Sequence, residues 1–405
     1  MPRPVLLLLS SFLFFSVYGF SQAKDSTVTT APEKKDLGVL KFSGFFDFYY
    51  FKNLNNPQNG LNTGISGAAR AFDQKENQFQ LGLVQTKITY TREKSDVVLD
   101  LVFGPHADLG NYGNVIGPFG AGKGTTSLAI KQAYFNYKIS KKLTFTAGQF
   151  GTHVGIEMID APLNYNYSLS NLFNNGPFYH IGIKATYFFN PKINFTAGIV
   201  NNWDNLYDNN KFKTVKAQVN INPSDRMSIY INYLGGNEGT TPYFNSNDSL
   251  QRFKQLLDLV VNWQVTDKFY FGLNVVGGSQ TGLDTVAGDT TKKLVRYNKN
   301  WGGVAVYMNR QFSKKFGIGI RADFFDNSAG VMYIGPTDVR SLTITGRITL
   351  DDGHLLIKPE VRIDKYKFIY YNGPGIGNVQ QFMDSQGNYT LNSQVTVGAA
   401  FIYKF

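Results

Sequence analysis

Short and long connections alternate without a break along this chain, and that alternation constrains its fold more than any other feature. Between them lie runs with apolar residues at every second position, the signature of β-strands with one apolar face. The runs fall near 39–52, 77–92, 96–103, 128–139, 142–151, 178–189, 192–200, 212–221, 226–235, 252–263, 268–277, 295–309, 315–325, 339–349, 354–364 and 394–405. That is about sixteen strands, most long enough to cross a bilayer at a tilt. The short connections read REKS, SKK, NPK, NPSD, VTDK, SKK and DDG, all suited to tight hairpins. The long ones fill the gaps near 53–76, 104–127, 152–177, 201–211, 236–251, 278–294, 326–338 and 365–393. A soluble sandwich has no reason to sort its connections so strictly. An outer-membrane barrel does, with short periplasmic turns and long external loops.

The last run sharpens the choice. In VTVGAAFIYKF, Val395, Val397, Ala399, Phe401, Tyr403 and Phe405 share one face, and the chain stops on an aromatic. No further chain is left to cover that face, so lipid must. The first run, VLKFSGFFDFYYF, is the natural partner for closure, which leaves no open edge. The expected fold is all-β: an antiparallel, up-and-down transmembrane barrel over 39–405. Three runs fit poorly. The 77–92 run changes phase between Leu83 and Val84, as at a bulge; Pro359 interrupts a strand; the 295–309 run has no clear phase.

Composition agrees. Outside the first two dozen residues no apolar run is long enough for a helical span, and mean hydropathy is −0.21. Residues 1–23 carry Arg3, an apolar run and small residues at Ser21 and Ala23, the pattern of a secretory signal peptide. Residues 24–38 are polar and aperiodic, a disordered periplasmic lead. The formal net charge is +11, or +10 once Arg3 leaves with the leader. The basic residues are scattered singly along strands, which argues against nucleic acid as a partner.

Charges belong inside such a barrel, because one facing lipid near the midplane costs roughly 2–4 kcal/mol. Strand phase assigns Lys138, Lys184, Lys192, Lys216, Arg226, Lys254, Arg296, Arg321, Arg347, Lys358 and Arg362 to the lumen. It assigns Asp47, Asp100, Asp258, Asp323, Glu360 and Asp364 there too. Some of these should pair with one another, above all Lys358, Glu360, Arg362 and Asp364 on one strand face. The basic excess points to a water-filled channel with a mild anion preference.

No catalytic, metal or cofactor constellation stands out. His180 follows Ser168 and Ser170 closely, but no nucleophile elbow is present. NNWDNLYDNN, residues 201–210, lacks the spacing of a calcium loop and reads as turn chemistry. A smaller barrel would be filled by its own side chains and serve as a structural or adhesive element; sixteen strands leave room for water. A lipid-hydrolysing barrel is the weakest alternative.

The segment APLNYNYSLSNLFNNGPFYHIGIKATY, residues 161–187, resembles the OmpL-like β-barrel porin family of Bacteroidetes outer membranes. The resemblance is carried by Asn164, Tyr165, Asn166, Tyr167, Ser168, Ser170, Pro177, His180 and Gly182, and by SGFFDFYYF near the start. It implies an outer-membrane porin that passes small hydrophilic solutes, with no cofactor, and a homotrimer by analogy with porins of this strand number. It also implies that the third external loop, 152–177, folds inward as a constriction. That loop carries Glu157 and Asp160, acids placed to face Arg321, Arg347 or Arg362 across the narrowest point. The closing Phe401, Tyr403 and Phe405 resemble the signal read by the barrel-insertion machinery.

Overall fold

The computed structural model describes residues 37–110, 129–204, 208, 210–238, 252–285, 294–367 and 379–405. The proposed leader and nearly all of the lead lie outside these, as do 111–128 of the second long connection and Asn205, Leu206, Tyr207 and Asn209 of the fourth.

Sixteen strands close into one antiparallel barrel. They are β1 (Val39–Asn53), β2 (Phe79–Thr91), β3 (Ser95–Phe103), β4 (Ala129–Lys138), β5 (Leu143–Gly151), β6 (Tyr179–Asn190), β7 (Ile193–Val200) and β8 (Thr214–Ser224), followed by β9 (Met227–Asn237), β10 (Phe253–Thr266), β11 (Phe269–Thr285), β12 (Leu294–Gln311), β13 (Phe316–Asn327), β14 (Thr337–Leu350), β15 (Leu355–Tyr366) and β18 (Ser393–Lys404). Between β15 and β18 the last long connection carries a small ribbon of β16 (Phe382–Met383) and β17 (Tyr389–Leu391). The only described helices of the α type are single turns in long connections: α1 (Pro105–Leu109) and α2 (Asn171–Asn174). No described helix is long and apolar enough to cross a membrane.

Closure is made by the two ends of the barrel sequence. Phe48 lies opposite Phe401 and Phe46 opposite Tyr403. The first pair stacks with ring centroids 4.9 Å apart and the second at 6.2 Å. Gly44 and Phe405 exchange backbone hydrogen bonds of 3.0 Å in both directions. A Cβ on Gly44 would stand 2.7 Å from the Phe405 ring, so the glycine makes the seat for that ring. Alternation then sorts each strand. On β15, Lys358, Glu360, Arg362 and Asp364 are buried inside while Val361 and Ile363 are exposed outside.

The three misfitting runs each have a local cause. In β2 the register against β1 slips beside Asp47, whose Oδ1 accepts the Leu83 N–H at 2.8 Å. The bulge keeps both Gly82 and Leu83 on the inside and flips the phase beyond them. Pro359 faces outward, and the β14–β15 ladder skips the positions around it. In β12 the inward residues are Trp301, Gly303, Ala305 and Tyr307, so both faces are apolar or small and no phase is visible. β11 and β12 also run past their expected ends, to Thr285 and from Leu294, pairing over a stretch that alternation leaves as loop. The Gly-rich GGSQTGLDT there carries no apolar alternation.

The lumen is less open than sixteen strands alone suggest. Its α2-side half holds a packed core that includes Phe150, Trp203, Leu234, Leu256, Trp301 and Phe325.

Candidate functional site: the inward third loop

The connection 152–178 crosses the lumen and is held chiefly by the inward faces of β13, β14 and β15. The contacts begin with room. β13 presents Gly317 and Gly319 inward, and a Cβ at Gly319 would meet the Tyr165 ring at 2.2 Å. Gly303 of β12 likewise makes space for Leu172. Charges then fix the loop. Arg321 Nη1 donates to Glu157 at 2.8 Å and to the Ser168 carbonyl, and its Nε donates to Asp323 at 3.1 Å. Lys358 Nζ donates to the carbonyls of Ala161 at 2.7 Å and Asn164 at 2.6 Å. Arg362 donates to the Leu169 carbonyl at 2.7 Å and to Asp364 at 2.8 Å. Glu360 accepts the N–H groups of Tyr167 at 2.7 Å and Ser168 at 3.1 Å. Asp323 accepts the Asn171 N–H at 3.0 Å.

Each of these wall groups is almost wholly buried. A buried charge is tolerated only when paired and hydrogen-bonded, and here the loop backbone supplies the missing partners. The motif residues take the matching positions. Ser170 caps α2, its Oγ accepting the Phe173 N–H at 3.1 Å, and its own N–H donates to Glu157 at 2.8 Å. Asn166 donates to Thr345 at 2.7 Å, and the Tyr167 hydroxyl donates to Asp47. Asn164 folds back on the Met158 backbone, and Pro177 is buried at the downstream end. Burial pushes the Tyr165 hydroxyl up to about 12.

The other side of the loop is different. Asp160 pairs with Lys131 of β4, which also meets Asp100 at 3.0 Å. Further along, Asp258 of β10 accepts the Gly155 N–H at 3.0 Å. His153 donates from Nε2 to the Tyr233 carbonyl at 2.8 Å, which leaves Nδ1 without a partner. Burial and the nearby Lys216 ammonium hold the His153 imidazole well below its ordinary range. His180 meets Thr152 at 3.1 Å, not Ser168 or Ser170, so the Ser–His pairing weighed from the sequence does not form. Asp204, in the DN-rich segment, accepts the N–H groups of Phe178 and Tyr179, and burial pushes its carboxyl up to about 8.

Among the described residues, cavities lie between the loop and the wall opposite its anchors. One of about 510 Å³ touches Tyr165, Asn262, Gln264, Tyr270, Asn309 and Arg347. Another, about 450 Å³, touches Gln132, His153, Gln218, Tyr230 and Asn232, and shares Asn262 with the first. Their strand-borne lining is mostly amide and phenol.

Several placements differ from the sequence reading. Arg226 is not in the lumen: it sits in the exposed turn after β8 and meets Asp267 of the next turn at 2.6 Å, because the hairpin ends before its phase applies. Lys138 and Lys192 are likewise exposed at the turn end. The side chain of Arg296 lies outside the described residues. The acids of the loop do not face arginines across a gap. Glu157 is in contact with Arg321, Asp160 with a lysine, and Arg347 with neither. Two buried cations escaped sequence reasoning. Lys131 sits at a register slip between β3 and β4 that turns it inward. Arg70 comes from the aperiodic first loop and meets Asp364 at 2.9 Å and Thr396 at 2.7 Å.

Four of the cations assigned to the lumen from the sequence have no hydrogen bond or ion pair among the described residues, and all four lie over aromatic rings. Lys184 and Lys216 stand 4.3 and 5.0 Å from the Phe150 centroid, Lys254 4.2 Å from Trp203, and Arg347 5.6 Å from Tyr165.

A closed sixteen-stranded barrel with a loop folded into it is the architecture of an outer-membrane porin. The family described as "Putative beta-barrel porin-2, OmpL-like" matches residues 39–405, and the chain belongs to that family. The fold is similar to the anion-selective porin from Comamonas acidovorans, with a TM-score of 0.55 at 8% identity, covering 91% of this chain and 100% of that one. It is similar to the outer membrane channel DcaP of Acinetobacter baumannii, with a TM-score of 0.54 at 11% identity over 93% and 100% of the two chains. It is also similar to OmpF of Salmonella typhi, with a TM-score of 0.52 at 11% identity over 90% and 97%. At these identities the likeness is one of fold. No curated protein sequence matches the chain.

Proposed function

We propose that this outer-membrane barrel passes small hydrophilic solutes passively, with a mild preference for anions and no bond chemistry. The observation that carries the reading is the neutral polar wall. Gln218, Asn232, Asn262 and Gln264 face cavities instead of packing on the loop, and a barrel sealed by its own side chains has no use for that surface. The anion preference rests on Lys184, Lys216, Lys254 and Arg347. They have no hydrogen bond or ion pair among the described residues, with Asp204 and Glu238 near Lys254 alone, while Asp47, Asp100, Glu157, Asp160, Asp323, Glu360 and Asp364 are engaged in ion pairs or short hydrogen bonds. In this reading 152–178 is the constriction, residues 1–23 direct export, Phe405 marks the chain for the insertion machinery, and the barrel assembles as a homotrimer.

Reconstitution of the purified protein in a planar bilayer tests the proposal. Channels whose zero-current potential in a KCl gradient carries the sign for chloride are expected. A folded, heat-modifiable barrel with no conductance would favour the second reading, a non-conducting barrel sealed by the packed core around Trp203 and Trp301. Deleting Phe405 tests assembly separately: folded barrel in the outer membrane falls while export continues.

A further inference from the structure

We propose that the 510 Å³ cavity is a solute subsite for a small hydroxylated carboxylate, with Arg347 holding the carboxylate and the amide wall opposite holding the hydroxyls. The inference rests on the channel reading above and deepens it.

The first observation is the contrast among lumen arginines. Arg70, Arg321 and Arg362 each meet a carboxylate within 3.1 Å. Arg347, inward on β14 and lining the cavity, has no hydrogen bond or ion pair among the described residues. Its planar guanidinium can grip a carboxylate with two parallel N–H donors. Tyr165 lies against it, held in place by the gap at Gly317 and Gly319, so the donor fork is oriented and not merely loose.

The second observation is independent of charge. Asn166 lines the same cavity, is more than nine-tenths buried, and keeps Oδ1 without a partner; Asn309 Oδ1 and Tyr165 Oη are also unmatched. Unmatched buried polar atoms cost about 1–3 kcal/mol each, and a water, an ion or a bound group beside them removes that cost. Asn262 and Gln264 complete a wall that offers both donors and acceptors. Hydroxyl groups suit such a wall because each can donate and accept. A plain aliphatic acid would leave the amides unsatisfied, and a neutral polyol would leave Arg347 unused. The volume lies within the ~300–1,000 Å³ of small-molecule sites. The cationic Lys268 shares the lining, and the one carboxylate beyond the loop, Asp267, is engaged by Arg226.

The test uses the full-length protein with sodium gluconate, sodium acetate and glucose as probes. In single-channel recordings gluconate should interrupt the KCl current at millimolar concentration, with acetate and glucose at least tenfold weaker. Arg347→Gln should abolish the gluconate effect and move the zero-current potential in a KCl gradient away from chloride. Asn262→Leu should weaken gluconate severalfold and leave acetate unchanged. Titration calorimetry of gluconate into detergent-solubilised barrel reads the subsite without any current, so loss of conductance with retained binding fails the channel reading and not this one. Equal potency of acetate and gluconate, equal potency of glucose and gluconate, or full gluconate binding by folded Arg347→Gln would each overturn the proposal.

Discussion

The two walls that face the third loop use opposite chemistry. β13–β15 meets it with Arg321, Asp323, Lys358, Glu360 and Arg362, every one buried and bonded to the loop. β8–β10 faces it across cavities with Gln218, Asn232, Asn262 and Gln264. The charged wall therefore works as an anchor, and the neutral one is the path in the proposed channel. Charge in a porin lumen is usually read as a filter. In this barrel most of it is structural, and the proposed anion preference rests on the few cations that sit over aromatic rings.

The largest effect should come from cutting the anchor. Arg321→Ala leaves Glu157 and Asp323 buried without their cation, a loss of roughly 3–5 kcal/mol for a broken buried pair. A closed barrel tolerates that by releasing the loop, so single-channel conductance should rise severalfold and selectivity weaken. Removing residues 158–172 should do the same. Unchanged conductance in folded protein would show that the loop does not limit the pore, and the contrast between the walls would lose its functional meaning.

A smaller effect is expected from Gly319→Ala. The added Cβ points at the Tyr165 ring from 2.2 Å, nearer than real contacts allow, so the ring and the motif around it must shift. Conductance should change by less than in Arg321→Ala, and gluconate interruption should weaken with it. On the neutral wall, Asn262→Lys and Asn262→Asp should fold normally and move the zero-current potential in opposite directions, toward chloride and toward potassium, with less than twofold change in conductance. Equal shifts from matched charges placed on the lipid face would deny that this wall lines the path.

How much of this was visible in the sequence follows from the same division. Lipid imposes period two on the outer face, so Val361, Ile363, Phe401 and Tyr403 announce their strands, and each of the sixteen expected runs overlaps a strand, with β11 and β12 longer than alternation shows. The lumen imposes no such rule. β12 lost its phase because Trp301, Ala305 and Tyr307 pack against the loop instead of water. Lys131 was hidden by a register slip, and Arg70 by a loop with no period at all. Inward charges such as Arg321 and Glu360 could be placed on a face, but which partner each takes depends on the path of the loop. That path is set by glycine-sized gaps in β12 and β13, which no periodicity reports.

The smallest predicted effect concerns the downstream end of the loop, which returns on the neutral side and lacks the anchor wall's arginines. There Asp204 receives the Phe178 and Tyr179 N–H groups, with Lys254 and Glu238 as its nearest charged neighbours. Its carboxyl is raised to about 8, so the folded state prefers the protonated form. The stabilisation is then complete below about pH 4, the ordinary carboxylate range, and is lost as pH rises through about 8. The tether should loosen on the alkaline side, by on the order of 1 kcal/mol once solvent and neighbours relax. Asp204→Asn keeps an acceptor oxygen for the two N–H groups and removes the titration. Hydrogen exchange of the amides of residues 176–180, corrected for the intrinsic rise with pH, should quicken between pH 6 and 9 in the native protein and stay flat in the variant. The anchor segment 166–171 should show no such difference, because its partners on β13–β15 are unchanged by the substitution. If both segments quicken together, the loop opens as one body, and the distinction between an anchored end and a titratable end does not hold.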